Sequence, residues 1–386
     1  MRRLLILIGV VLGAAVLGGC GSSQTSGHSD PRVSFPAAVA IVSGDANSPS
    51  AIVTPTVEAL LERAFRENAG LALVDAGGRP RFYSVSLGGD FGNADAYQAA
   101  ESQQISQVTL ALDRVVPNTG QSDPWTAVAE AVGWLQGQGG GTLVVENSGL
   151  GTVGFLNYLI PGLLDAAPTD LVAFARANRE LPDAVGIRAV LLGIGWTASP
   201  QTKLGVTERS SLIAQWVGLL RAAGASVSID ETPLTGLGPA DAPKVSIVRA
   251  PEINWTPPPG TCGQAFSSTE LHFVVGTAKL LDPAIAIAAL RHVVEELDGN
   301  HEAATITGTT SSEGGNAINL PLSRDRAEVA ARLLESMGLP RSQIGKIVGL
   351  GSHFAGYVPD IGPGGVLLPG PAAENRQVIV TWACTQ

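Results

Sequence analysis

The chain reads as an α/β protein in two parts: an N-terminal doubly wound, mostly parallel sheet, then a C-terminal α/β sandwich on a mixed sheet. Three observations predict this. Apolar runs too continuous for strands with one wet face alternate with amphipathic helical stretches over residues 35–250. Residues 251–263 (PEINWTPPPGTCG) then break the pattern with three consecutive prolines, a semi-rigid spacer. The remainder alternates strand, helix, strand, helix, strand, loop and strand. The divisions that follow are 1–19, 20–34, 35–250, 251–266 (the Pro-rich linker) and 267–386.

The N-terminal part opens with residues 37–43 (AAVAIVS), an apolar run stopped by Gly44 and Asp45, which predicts a buried strand. A helix follows over 53–66, with Val57, Leu60, Leu61, Ala64 and Phe65 on one face. Further strands are expected at 81–87, 142–146, 188–194, 226–230 and 244–249. Helices are expected at 94–115, 124–135, 155–166, 169–179 and 208–222. In the C-terminal part, strands are expected at 271–275, 303–307, 344–350 and 377–382. One helix opens at Asp282 or Pro283 and runs to 297, and a second opens near Asn319 and ends before Gly338. Residues 355–373 are Gly/Pro-rich and long for a loop, which predicts a disordered flank or a partner-binding flap.

The two ends of the chain place it in a compartment. Arg2 and Arg3 precede an apolar run over 4–17, and Leu17-Gly18-Gly19-Cys20 closes it. This is the pattern of a secretory signal with a lipidation box at Cys20. A transmembrane helix is the alternative, but the run is shorter than the ~20 residues that span comfortably. Residues 20–34 read as a flexible tether. The expected location is a cell membrane or outer membrane, lipid-anchored and facing the periplasm or cell wall. Cys262 and Cys384 lie outside the reducing cytosol on this reading and are expected to form a disulfide; two unpaired buried thiols are the alternative. The formal charge of −10 argues against nucleic acid and anionic headgroups as partners.

No enzyme constellation is visible. There is no Gly-x-Ser-x-Gly elbow or phosphate loop, and His301-Glu302 does not continue to a second histidine because position 305 is Thr. Gly149, Gly151 and Gly154 follow a strand, but at the wrong spacing for a dinucleotide. No cofactor is expected. The order of N-terminal elements loosely resembles a von Willebrand factor type A, Rossmann-like domain. That resemblance implies a metal above the sheet, held by an Asp-x-Ser-x-Ser turn. Here the turn reads Asp45-Ala46-Asn47-Ser48-Pro49-Ser50, with Thr119 or Thr126 as a further ligand, and the fourth strand ends in Glu146-Asn147-Ser148 instead of the later Asp. The residues fit an ordinary polar turn, in which Asp45 or Ser48 caps the next helix, better than a metal site. An envelope protein is the expected partner for this part.

The most informative stretch is 308–327, GTTSSEGGNAINLPLSRDRA. A strand runs into a small-residue turn and then a helix entrance carrying an amide, a hydroxyl and a guanidinium, a setting that favours carboxylates. The spacing resembles the signature of the OmpA-like domain, as do LHFVVGTAKLLDP at 271–283, Gly349-Leu350-Gly351-Ser352 and Asn375-Arg376-Gln377-Val378. The resemblance implies a module that holds peptidoglycan without cutting it. In that family an Asp and an Arg clamp the ammonium and carboxylate of diaminopimelate in the stem peptide. By position the Arg is Arg326, with Thr310, Asn319 and Ser323 around it and Arg376 in the closing motif. Ser311 holds the Asp position and Gln377 replaces a second closing Arg. A neutral hydrogen bond contributes about 1 kcal/mol against about 1.5–3 for one to a charge, so Ser311 predicts an affinity lower by roughly one to two powers of ten. Glu313, two residues on, is a carboxylate that could substitute. The implied function is a non-catalytic tether between membrane and wall. The alternative is a protein-interaction module whose pocket no longer binds the wall.

Overall fold

The computed structural model describes residues 35–384, apart from 46, 118, 251, 252, 254 and 301. The expected signal peptide, the lipidated Cys20 and the tether lie outside the described residues. Among the described residues, no helix is long and apolar enough to cross a membrane.

A six-stranded sheet forms the N-terminal part. Its strands are β1 (Val39–Ser43), β2 (Gly70–Asp75), β3 (Phe82–Ser86), β4 (Gly141–Glu146), β5 (Ile187–Leu192) and β6 (Ser226–Asp230). The order is β3-β2-β1-β4-β5-β6, parallel throughout except for the antiparallel edge strand β3. The order reverses between β1 and β4, which is the doubly wound arrangement expected from the alternating runs. Helices α1 (Pro55–Arg66) and α2 (Ala94–Leu112) cover one face around Phe65, Leu61 and Val144. Helices α3 (Pro124–Gly137), α4 (Pro168–Asn178) and α5 (Val206–Ala222) cover the other around Trp125, Leu171 and Trp216.

Local structure differs from these expectations at four places. Strand β2 falls in a stretch where the sequence predicts no element. Residues 155–166 are not a helix: only a 3₁₀ turn forms at Leu163–Asp165, since Pro161 breaks the pattern and Gly162 takes a φ of 73°. Residues 244–249 form no strand. Their backbone is held by side chains: Asn47 donates to the Ser246 carbonyl (3.0 Å), and the Gln201 amide exchanges two bonds with Val248. The helix expected to be capped by Asp45 or Ser48 is capped by Thr54, whose hydroxyl accepts from Val57 N–H (3.3 Å).

The C-terminal part is a four-stranded mixed sheet: β7 (Thr261–Ser267), β8 (Ala304–Gly308), β9 (Ile344–Gly349) and β10 (Gln377–Ala383), in the order β7-β10-β8-β9. Strand β10 is antiparallel to both neighbours, and β8 and β9 are parallel. Helices α6 (Pro283–Asn300) and α7 (Asn316–Ser336) pack on it around Leu290, Val293, Ala330 and Leu334. The first strand is therefore β7, which begins inside the stretch read as linker. Residues 271–275 form a turn instead, tied by Phe273 N–H to the Ser268 carbonyl. Residues 355–373 are folded, ending in a short helix α8 (Pro369–Glu374). Cys262 and Cys384 are bridged, with Cα atoms 5.0 Å apart, which ties the ends of β7 and β10 together.

Candidate functional site

The helix entrance is built by close packing. Gly308 ends β8 so near α7 that an added Cβ would lie 1.9 Å from the Ser323 carbonyl oxygen. The chain then turns through Thr309–Gly315, and Gly315 takes a φ of 69° to start the helix. Helix α7 begins at Asn316, three residues before the expected opening, so Asn319 is not the cap. Its amide instead donates to the Ser311 carbonyl (2.9 Å). Ser323 accepts from Gly351 N–H (2.9 Å) and donates to the Leu320 carbonyl, which locks the loop after β9 onto the helix. Thr310 is buried, and its hydroxyl has no hydrogen-bond partner among the described residues.

The two arginines differ in their surroundings. Arg376 makes three contacts: Nε donates to Ser311 Oγ (3.1 Å), Nη1 to Asp170 of α4 (2.5 Å), and Nη2 reaches Glu313 (3.5 Å). Arg326 is only 3% exposed, yet it has no carboxylate partner among the described residues. Its Nε donates to the Thr277 carbonyl (2.9 Å), Nη1 to Ser268 Oγ (3.2 Å), and its guanidinium lies over the Phe273 ring. Burial and the neighbouring positive charge of Arg376 push its pKa down to about 10. A guanidinium in that state gains from any anion brought to it. Both arginines line a cavity of about 350 Å³ together with Ser268, His272 and Asp165.

Sequence reasoning missed two carboxylates of this region. Asp360, from the long loop, accepts from Ser312 N–H (2.9 Å), Ser312 Oγ (2.5 Å), Tyr357 (2.6 Å) and Asn375 (3.2 Å). Burial opposes its charge, but those bonds outweigh burial and hold its pKa below the usual value. Asp360 thus anchors the turn that carries Ser311. Asp170 is the other, and it comes from the N-terminal part, 206 positions from its partner. Its place in the first turn of α4, after Pro168, reads in sequence as ordinary helix-start chemistry.

The polar turn above the first sheet is closed on itself. Asp45 accepts from Asn47 N–H (2.8 Å) and Ser122 Oγ (2.5 Å), and Ser48 Oγ accepts from Ser148 N–H (2.7 Å). Thr126 bonds Asp123 at the start of α3, and Thr119 accepts from Gly78 N–H. Glu146 is fully buried and accepts from Ile52 N–H (2.7 Å). Burial pushes Glu146 up to about 8 and Asp45 up to about 6. Among the described residues, no group of three or more His, Cys, Asp or Glu side chains could hold a metal ion.

Solved structures similar to part of this chain are small envelope domains. The peptidoglycan-associated lipoprotein from Burkholderia pseudomallei is 22% identical over 29% of this chain and 86% of its own, with a TM-score of 0.24. The cell wall anchor of the T6SS from Pseudomonas aeruginosa is 17% identical over 33% and 89%, with a TM-score of 0.26. The periplasmic domain of Helicobacter pylori MotB is 13% identical over 34% and 88%, with a TM-score of 0.27. No curated protein matches the chain. The OmpA family matches residues 272–354, a span that holds Thr310, Ser311, Asn319, Ser323 and Arg326 and stops short of Arg376. With this match, residues 272–354, which carry α6, β8, the turn, α7 and β9, are an OmpA family domain.

Proposed function

We propose that this chain is a non-catalytic cell-envelope protein whose OmpA-like domain associates with peptidoglycan. On this reading Arg326 receives a carboxylate of a diaminopimelate-type stem peptide, and a lipid on Cys20 tethers the protein to a membrane. The observation that carries it is the buried Arg326 guanidinium, which lacks a carboxylate among the described residues and lines a cavity. Thr310, Ser311, Asn319, Ser323 and Arg376 shape the surrounding turn. Co-sedimentation of the full chain with purified sacculi tests it. Binding should titrate, compete with soluble stem peptide ending in diaminopimelate, and disappear in Arg326→Ala at unchanged circular dichroism. Failure of the native chain, Asp170→Asn and Asp170→Lys alike to leave the supernatant at any sacculus concentration overturns the reading.

A second reading is a protein-interaction module in the envelope. It is favoured by Ser311, which bonds Arg376 where the family's carboxylate would stand. It predicts a stable protein complex that survives Arg326→Ala.

A further inference from the structure

The N-terminal part and the OmpA-like domain meet at Arg376 and around the cavity that Arg326 lines. Asp170 of α4 pairs with Arg376, and both side chains are at least nine-tenths buried. Thr269 Oγ1 donates to the Asp165 carbonyl (3.1 Å) beside them. Below, the backbones touch: a Cβ on Gly162 would lie 2.3 Å from the Gly370 carbonyl oxygen, and one on Gly370 2.5 Å from that of Pro161. Arg326 and Arg376, which line the cavity between the two parts, are 3% and 9% exposed. That cavity is lined from the N-terminal part by Asp165, Pro168 and Val206.

Each side of the contact has its own core. Two hydrophobic clusters lie wholly within the N-terminal part and a third wholly within the OmpA-like domain; none of the three spans the contact. Domains with separate cores move relative to one another unless a large apolar interface joins them. Among the described residues the Asp170–Arg376 pair is the ion pair that joins the two parts, and removing Arg376 would leave Asp170 buried without a cation partner.

We infer that the N-terminal α/β domain is a lid on the OmpA-like pocket, latched by Asp170 on Arg376, so that wall association requires release of this contact. The inference rests on the wall reading of Arg326. Asp170 holds Arg376, the arginine beside Arg326, and the closed form excludes the stem peptide. Apparent affinity for the wall is then the intrinsic affinity scaled by the open fraction.

The full chain, Asp170→Asn and Asp170→Lys are compared by titration with purified sacculi and by hydrogen–deuterium exchange. Both variants should bind about tenfold more tightly than the native chain. Exchange should rise in both over 309–312 and 160–170, with no sacculi present. Native-like exchange, or variant affinity equal to that of a binding native chain, overturns the lid and leaves the wall reading standing. Raised exchange with no binding by any of the three proteins overturns the wall reading, and the lid's stated role with it. Asp170→Lys guards against a neutral Asn that still hydrogen-bonds Arg376.

Discussion

Glu146 shows what a buried side chain does to this molecule. Its carboxyl sits at the end of β4 with one oxygen bonded by Ile52 N–H and the other without a partner among the described residues. Burial is the main cause of its shift to about 8, so at neutral pH the folded protein keeps it protonated. Asp45 and Asp165 are shifted the same way, to about 6 and about 7. The unfolded chain releases these protons near pH 4, so between there and the folded values the native state binds more of them. Their stabilisation is complete below the unfolded pKa and is lost as pH rises through the folded ones. The thermal midpoint should therefore fall from pH 5 to pH 9, and Glu146→Gln should flatten part of that fall. An identical slope in the variant would sink this account.

Among elements, the approach of α7 to the ends of β8 and β9 sets the site. A Cβ on Gly308 would meet the Ser323 carbonyl, and one on Gly349 would lie 2.5 Å from Arg324 N. Neither glycine has a positive φ; each is needed because a helix backbone lies where a side chain would go. Overpacking of this kind costs about 1–3 kcal/mol when the neighbour can shift, and here the neighbour is helix backbone. Gly308→Ala should lower the unfolding free energy by about 3 kcal/mol. Urea denaturation checks it; a loss under 1 kcal/mol, by the same yardstick, would mean that α7 slides freely. These two glycines were visible in the sequence as part of a motif. Their reason was not, since turn geometry and close approach look alike until the helix is placed.

For the whole molecule, the disulfide and the lid matter most. The Cys262–Cys384 bridge closes a loop of 122 residues and holds edge strand β7 against β10. By the loop-entropy argument, Cys262→Ser should cost about 4–5 kcal/mol of unfolding free energy. Denaturation with and without reductant measures this. A midpoint unmoved by reductant would show that the sheet holds its edge without the bridge. A fragment beginning at Ser267 loses both β7 and the bridge, so the OmpA-like domain is better studied in the full chain.

Amino-acid order alone determined the α/β class, the doubly wound N-terminal sheet, most helices to within a few residues and the OmpA family turn. Those features follow from local periodicity, small-residue turns and motif spacing, which act over short stretches of chain. Strand β6 was read at its observed limits, 226–230, on its pattern alone. Tertiary structure decided what each candidate residue faces. Asn319 moved from the expected helix opening to a place inside α7, Ser323 became a loop anchor, and Asp360 entered from a loop that sequence left open. Residues 271–275 lost their strand to β7 because β10 pairs with 261–267 instead. The Asp170–Arg376 pair spans 206 positions, and no local pattern encodes such a contact. It arises only when two separately packed cores meet, and that meeting decides whether the pocket is open.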